Sequence, residues 1–391
     1  MASRDGRRAV VTGVGVVTVG GGDPEALWAH LLDPEAGPGD GFLHGFDPSV
    51  AIPRRRSRRM DPATQYAVVA TAAALAQAGD LDLAPHRGAV LMASTYGGIT
   101  SYDDAVRAQV AEGPAGVNPL VSTAAAASTG ASAVAVEAGF TGPTLSVGAA
   151  CASGSTVLVE ALDKIRAGRA DVVVAGGTEA PLTPTILTAF SGLKVFTASR
   201  PRPFDAERDG FAFAEGAGVL VVEERERALA RGATVLAEVA GGSAATDVSG
   251  VYAPSDGAAV VEQCIRAALD DAGVDPADIA HVNAHGTGTR ANDASEGAAL
   301  ERVFGPDVVV TANKGAVGHA GAAAGAIEAV ATLLAMEHRL IPPTAGHRTL
   351  DPELHLDVVA GAPRPWEPGP VLSNALGLGG YVGSLVLLPP P

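Results

Sequence analysis

Residues 144–168 read TLSVGAACASGSTVLVEALDKIRAG, and this stretch constrains the fold of the chain more than any other. An apolar run from Leu145 to Ala150 leads to Cys151, and the small residues Ala152, Ser153 and Gly154 follow. Val157, Leu158, Ala161, Leu162 and Ile165 then recur at helical spacing. The pattern predicts a strand, a tight turn and a helix, with a thiol at the turn. A helix N-terminus lowers the pKa of a nearby thiol through its unpaired N–H groups and dipole, and a sharp turn lifts the side chain clear of the sheet. Small neighbours let a substrate approach the backbone. On these residues alone, Cys151 reads either as a nucleophile or as a small apolar side chain at a buried strand end, since free cysteine is among the most buried residue types.

The same alternation runs along the chain. Apolar, β-branched segments at residues 9–19, 88–94, 171–177, 219–223, 279–283, 308–312, 371–374 and 382–388 predict strands. Helices are predicted at 61–78, 102–112, 256–272, 293–304 and 321–338, with a further alanine-rich segment at 121–138. Apolar strands alternating with helices imply an α/β fold with a mostly parallel, helix-covered sheet. The pattern restarts at Ala233, which divides the chain into halves 1–232 and 233–391. LSVGAACASGS and VTANKGAVGHAGAAAG are both strand, glycine turn and small-residue helix, about 170 residues apart.

Charge narrows the partners. With 27 basic and 43 acidic residues the net charge is −16, which argues against non-specific binding to nucleic acid or to an anionic membrane. Arg54-Arg55-Arg56-Ser57-Arg58-Arg59 is the densest basic run, and such a run is ordinarily a solvated face. Cys151 and Cys264 are the only cysteines and give no disulfide framework, so a reducing cytoplasm is expected. Arg7-Arg8 before AVVTGVGVVTV has the look of a signal peptide, but no small-residue cleavage site follows, and the segment is read as a buried first strand. No apolar run approaches the ~20 residues of a membrane span.

Polar groups gather where strands end. His285 follows a strand in NAHGTGT, at the carboxyl end that delivers side chains into the crevice of an open α/β sheet. His319 holds the matching place after NKGAVG. Lys314 is one of three lysines in a chain that otherwise uses arginine, and Glu328, among small apolar neighbours on the following helix, needs a partner, for which Lys314 is the candidate. One thiol with two imidazoles suits an acyl group carried on sulfur and N–H donors that stabilise an oxyanion or enolate. Zinc fits less well, because no ligands recur at the short spacings of structural zinc sites.

AACASG, RPFDAERDGF, AHGTGT, NKGAVGHAGAAAG with Glu328, and SNALGLGG occur in register over essentially the whole chain. Together they resemble the elongating β-ketoacyl-acyl-carrier-protein synthases (ketosynthases) of fatty-acid or type II polyketide systems. The resemblance implies a thiolase-like fold of two βαβ-type halves in five αβαβα layers, usually a homodimer. It implies decarboxylative condensation of an acyl group on Cys151 with malonyl-acyl carrier protein. His285 and His319 would promote decarboxylation and stabilise the enolate, Lys314 would orient the site with Glu328, and the N–H groups of Cys151 and Leu378 would form an oxyanion hole.

By the same resemblance Thr287 and Thr289 contact a phosphopantetheine arm, no cofactor is bound, and Arg58, Arg59 and Arg202 dock the acidic carrier protein. Relatives usually carry Phe at the positions of Leu376 and Leu378, which line the approach to the acyl pocket, and Thr-Asn at Tyr381-Val382. A thiolase would need a second catalytic cysteine near the C-terminus, and a chain-length-factor-like subunit would lack Cys151. This chain as the catalytic half of a heterodimer with such a subunit stays open.

Overall fold

A computed structural model describes residues 6–249 and 258–390. Among these residues the strands are β1 (Ala9–Val17), β2 (Gly88–Ala93), β3 (Thr144–Val147), β4 (Val172–Glu179), β5 (Gly216–Glu224), β6 (Ala237–Thr246), β7 (His281–Asn283), β8 (Val309–Thr311), β9 (Leu340–Ile341), β10 (Asp357–Val358), β11 (Arg364–Pro365), β12 (Val371–Gly377) and β13 (Tyr381–Leu388). Eleven of them form one sheet in the order β10-β8-β7-β12-β13-β6-β1-β5-β4-β2-β3, while β9 and β11 pair separately.

The expectation of a mostly parallel sheet is only half met. Five neighbouring pairs are parallel, in the two outer groups, and five antiparallel pairs join β12, β13, β6, β1, β5 and β4 in the middle. These central strands misled the reading because helices cover both of their faces, so β1 and β5 are apolar almost throughout instead of alternating.

Helices Ser153–Arg166 and Ala324–His338 lie side by side between the two halves of the sheet and contact strands of both. Glycine permits their closeness: a Cβ on Gly154 would stand 2.6 Å from the Ala326 nitrogen, and one on Gly325 would stand 2.6 Å from the Ser155 nitrogen. Helices Pro62–Ala78 and Thr129–Ala138 cover the outer face of one half, and Ala258–Ala272 with Arg290–Phe304 cover the other. The result is the five-layered αβαβα arrangement of the thiolase-like fold. The predicted helix 256–272 is seen from Ala258; Asp256 and Gly257 lie outside the described residues.

Two boundaries bear on function. The apolar run before Cys151 is a strand only to Val147, and β3 is a sheet edge whose Leu145 is 48% exposed. The basic run folds as the short helix Arg54–Ser57, with Arg56 paired to Glu137 at 3.1 Å and Arg58 and Arg59 exposed. Among the described residues no helix is long and apolar enough to cross a membrane.

Candidate active site

Cys151 sits at the turn between β3 and helix Ser153–Arg166. The preceding Ala150 adopts φ +47°, a left-handed conformation that costs a non-glycine residue about 1–3 kcal/mol and is held only by its surroundings. Ser153 supplies part of that hold: its hydroxyl donates to the Ala150 carbonyl at 2.5 Å and accepts from the Ala149 N–H at 2.7 Å. Cys151 is half-buried as a residue, and its thiol, turned inward, is within hydrogen-bonding reach of the N–H groups of Leu378 and of Cys151 itself.

The thiol's acidity departs from the sequence expectation. Burial pushes it up to about 11, and the buried Glu179 carboxylate adds to the rise, against the pull of the Lys314 charge and the two N–H groups. The helix N-terminus alone does not activate it. Because the thiol pKa is raised, the thiolate fraction should increase about tenfold per pH unit from 7 to 9. Iodoacetamide labelling of Cys151, followed by peptide mass spectrometry, should therefore accelerate throughout that range. A plateau below pH 8 would contradict the environment described.

His285 and His319 reach the same cavity from the two loops after β7 and β8. Their ring centroids are 5.4 Å apart at 84°. The HGTG loop can turn here because Gly286 and Gly288 take φ +41° and +82°, and a Cβ on Gly286 would stand 2.4 Å from the Ala312 Cβ. Glu296, buried on helix Arg290–Phe304, accepts the N–H groups of His285 and Gly286, each at 2.8 Å, and the Asn374 amide at 2.8 Å. His319 is held by its backbone, donating to Ala212 O at 2.8 Å and accepting from Ala214 N at 3.1 Å.

The two rings are electrically alike. Burial holds both pKa values well below the ordinary histidine range, with the Lys314 charge acting in the same direction, so both imidazoles are neutral at pH 7. Lys314 Nζ lies 3.1 Å from His285 Nδ1 and 2.6 Å from His285 O. An ammonium only donates, so Nδ1 accepts and the ring proton rests on Nε2. His319 Nδ1 is buried without a partner; a lone pair is cheaper to strand there than an N–H, and we assign its proton to Nε2 as well. Lys314 is itself ion-paired with Glu328, both almost completely buried.

Thr287, Thr289, Leu376 and Leu378 line the cavity with Cys151, His285 and His319. The hydroxyls of Thr287 and Thr289 are 3.0 Å apart. Lys314 and Glu328 stand behind the histidines and do not line it. Arg58, Arg59 and Arg202 also lie outside it: Arg202 abuts Gly288 and pairs with Glu207 at 2.7 Å, whereas Arg58 and Arg59 are exposed just after the short helix Arg54–Ser57, whose Arg56 reaches helix Thr129–Ala138. The sequence reading missed the aromatic wall of Phe190, Phe211 and Phe213, whose Phe211 ring is 5.2 Å from His319. It also missed Glu296 and Glu179, although Phe211 belongs to the RPFDAERDGF stretch.

The family model described as "Beta-ketoacyl synthase, N-terminal domain" matches residues 37–228, and "Beta-ketoacyl synthase, C-terminal domain" matches 236–348. The chain is 33% identical to "3-oxoacyl-[acyl-carrier-protein] synthase 2" of Staphylococcus aureus, over 97% of this chain and 98% of that one. Among solved structures it resembles "The ishigamide ketosynthase/chain length factor" with TM-score 0.93 and 33% identity, covering 99% of this chain and 100% of that chain. It also resembles a type II polyketide ketosynthase in complex with its acyl-carrier protein, with TM-score 0.88 and 28% identity, covering 98% of this chain and 100% of that chain.

Proposed function

The chain belongs to the β-ketoacyl synthase family, acyltransferases that form carbon–carbon bonds in fatty-acid or type II polyketide synthesis, and on that premise we propose how its own residues divide the work. Cys151 Sγ attacks an acyl-carrier thioester; the new S–C bond forms as the carrier thiol leaves with the proton. The N–H groups of Cys151 and Leu378 face the carbonyl oxygen in that step. Malonyl-acyl carrier protein then enters along Thr287 and Thr289 and loses CO2. The electron pair left behind becomes an enolate whose oxygen accepts from Nε2–H of His285 and of His319. The enolate carbon attacks the Cys151 thioester, and its C–S bond breaks to release β-ketoacyl-acyl carrier protein and the Cys151 thiolate, which takes up a proton from solvent to restore the thiol.

The observation that carries this reading is the pair of neutral imidazoles, 5.4 Å apart and both lining the cavity of Cys151. Each neutral ring keeps an Nε2–H to donate to a developing oxyanion. His319→Ala should therefore still acquire an acyl group at Cys151 yet release CO2 from malonyl-acyl carrier protein about 10²- to 10³-fold more slowly. Normal CO2 release by that variant, measured with carboxyl-labelled malonate, would remove His319 from the role.

A thiolase reading finds no second nucleophile in the cavity. Cys264 is buried in helix Ala258–Ala272 with Sγ 3.4 Å from Ser243 O. A non-catalytic chain-length-factor-like role leaves the Cys151 turn and its two imidazoles without a purpose.

For partners, the exposed arginines of the basic run are our candidate surface for the acidic carrier protein. Arg58→Glu should weaken carrier binding about three- to tenfold in low salt and less in 0.5 M salt, where charges are screened. Equal affinity at both salts would discard the patch. The exposed β3 edge lies in the same half as helix Ile99–Glu112, which has no buried residue and presents Tyr102, Val106 and Val110. This apolar surface suits a dimer with a second ketosynthase-like chain, either identical or a chain-length-factor-like subunit. Two free cysteines fit a reducing cytoplasm.

A further inference from the structure

β4 ends on Glu179, a completely buried carboxylate that no step of the reaction above employs. Its Oε1 accepts from the Ser94 hydroxyl at 3.0 Å and the Tyr96 N–H at 3.2 Å, and its Oε2 accepts from the Thr95 N–H at 2.8 Å and the Ala322 N–H at 3.3 Å. Three backbone N–H groups and a hydroxyl aimed at two oxygens are the surroundings of an ionised carboxylate. None of these donors is a cation.

The donors belong to segments that adjoin the two reacting groups. Ser94, Thr95 and Tyr96 follow β2, and the Ser94 N–H donates at 3.4 Å to the carbonyl of Val147, the last residue of β3 before the Cys151 turn. Ala322 lies in the single turn Gly321–Ala323, just after His319. The fit there is close: a Cβ on Gly177 would stand 2.6 Å from Ala322 O, and one on Gly321 would stand 3.0 Å from Glu179 Cγ. Glu179 thus bridges the nucleophile's half of the chain and the imidazoles' half.

Its charge works against acylation, because an anion near Cys151 opposes the thiolate. A neutral side chain would serve that step better. Glutamine, however, cannot accept all four bonds: its amide nitrogen only donates and leaves at least one buried N–H without an acceptor. We propose that Glu179 is a positioning residue for condensation: it clamps the strand end ahead of Cys151 to the turn behind His319, and so sets the distance between thioester and imidazole. This inference rests on the ketosynthase reading and adds a residue to that same site.

The test uses the full chain. In Glu179→Gln, iodoacetamide should alkylate Cys151 several-fold faster than in wild type at pH 8, because the Lys314 charge then acts on the thiol unopposed. The same variant should form β-ketoacyl-acyl carrier protein about 10- to 100-fold more slowly, with KM for malonyl-acyl carrier protein little changed. Glu179→Asp keeps the charge but is one methylene too short to reach both segments, so condensation should fall while alkylation holds its wild-type rate. Ser94→Ala removes one donor at a half-buried position and keeps the test available should both carboxylate variants fail to fold. It should slow condensation several-fold and leave acyl loading unchanged. Condensation at the wild-type rate in any folded variant would overturn the clamp. So would a parallel loss of alkylation and condensation in Glu179→Gln, the mark of a role in stability alone. Failure of the wild type to condense at all would instead overturn the ketosynthase reading, and this inference with it.

Discussion

Cys151→Ala is expected to abolish condensation, lowering the formation of β-ketoacyl-acyl carrier protein by about 10⁴-fold or more. The reaction requires the acyl group to leave its carrier and wait on a sulfur beside the malonyl unit, and no other side chain in the cavity is a thiol. The fold should barely notice the change. The residue is half-buried and its side chain small, and alanine already occupies the strained position before it, so the stability cost should stay within about 1 kcal/mol. Intact-mass measurement after incubation with acyl-acyl carrier protein separates the two effects. The wild type should gain one acyl group and the variant none; an adduct persisting on the variant would refute the assignment.

Lys314→Met should have the second-largest effect, on stability and turnover together. It removes the cation that pairs with Glu328, donates to His285 Nδ1 at 3.1 Å and holds the His285 carbonyl at 2.6 Å. Breaking a buried ion pair by deleting one partner costs about 3–5 kcal/mol, because the remaining charge has nowhere to go. The cost has a pH sign. Burial already pushes Glu328 up to about 7 against the pull of Lys314, and without Lys314 it must rise further. A carboxyl whose folded pKa is raised binds more protons in the native state, so stability falls as pH climbs from the unfolded value through the folded one. The urea midpoint of the variant should thus lie further below wild type at pH 8.5 than at pH 6. Adding Glu328→Leu should restore much of the stability and none of the decarboxylation. Equal midpoints for wild type and Lys314→Met at pH 8.5 would contradict the paired arrangement.

Much of this site was legible in the chain because its chemistry is local. The turn at Cys151, the glycine loop after His285 and the loop before His319 each announce themselves as a strand, small residues and a helix. The pairing of Lys314 with Glu328 followed from one rule, that a carboxylate among alanines needs a cation. What escaped depends on distant residues. Glu179 closes β4, accepts from Ser94, Thr95 and Tyr96, and yet raises the Cys151 thiol across the sheet. Glu296 fixes the His285 loop from the next helix. The central antiparallel strands were hidden for a similar reason, since layers contributed by remote segments cover both of their faces and erase the alternation that would mark them.

The most direct test of the account is a chase. Wild-type protein is acylated from a labelled acyl-carrier protein, digested to locate the label, and then given malonyl-acyl carrier protein. The account predicts one label per chain on the peptide containing Cys151, chased into β-ketoacyl-acyl carrier protein with one CO2 released for each. A label on any other residue, or its departure only as free acid with no CO2, would contradict it.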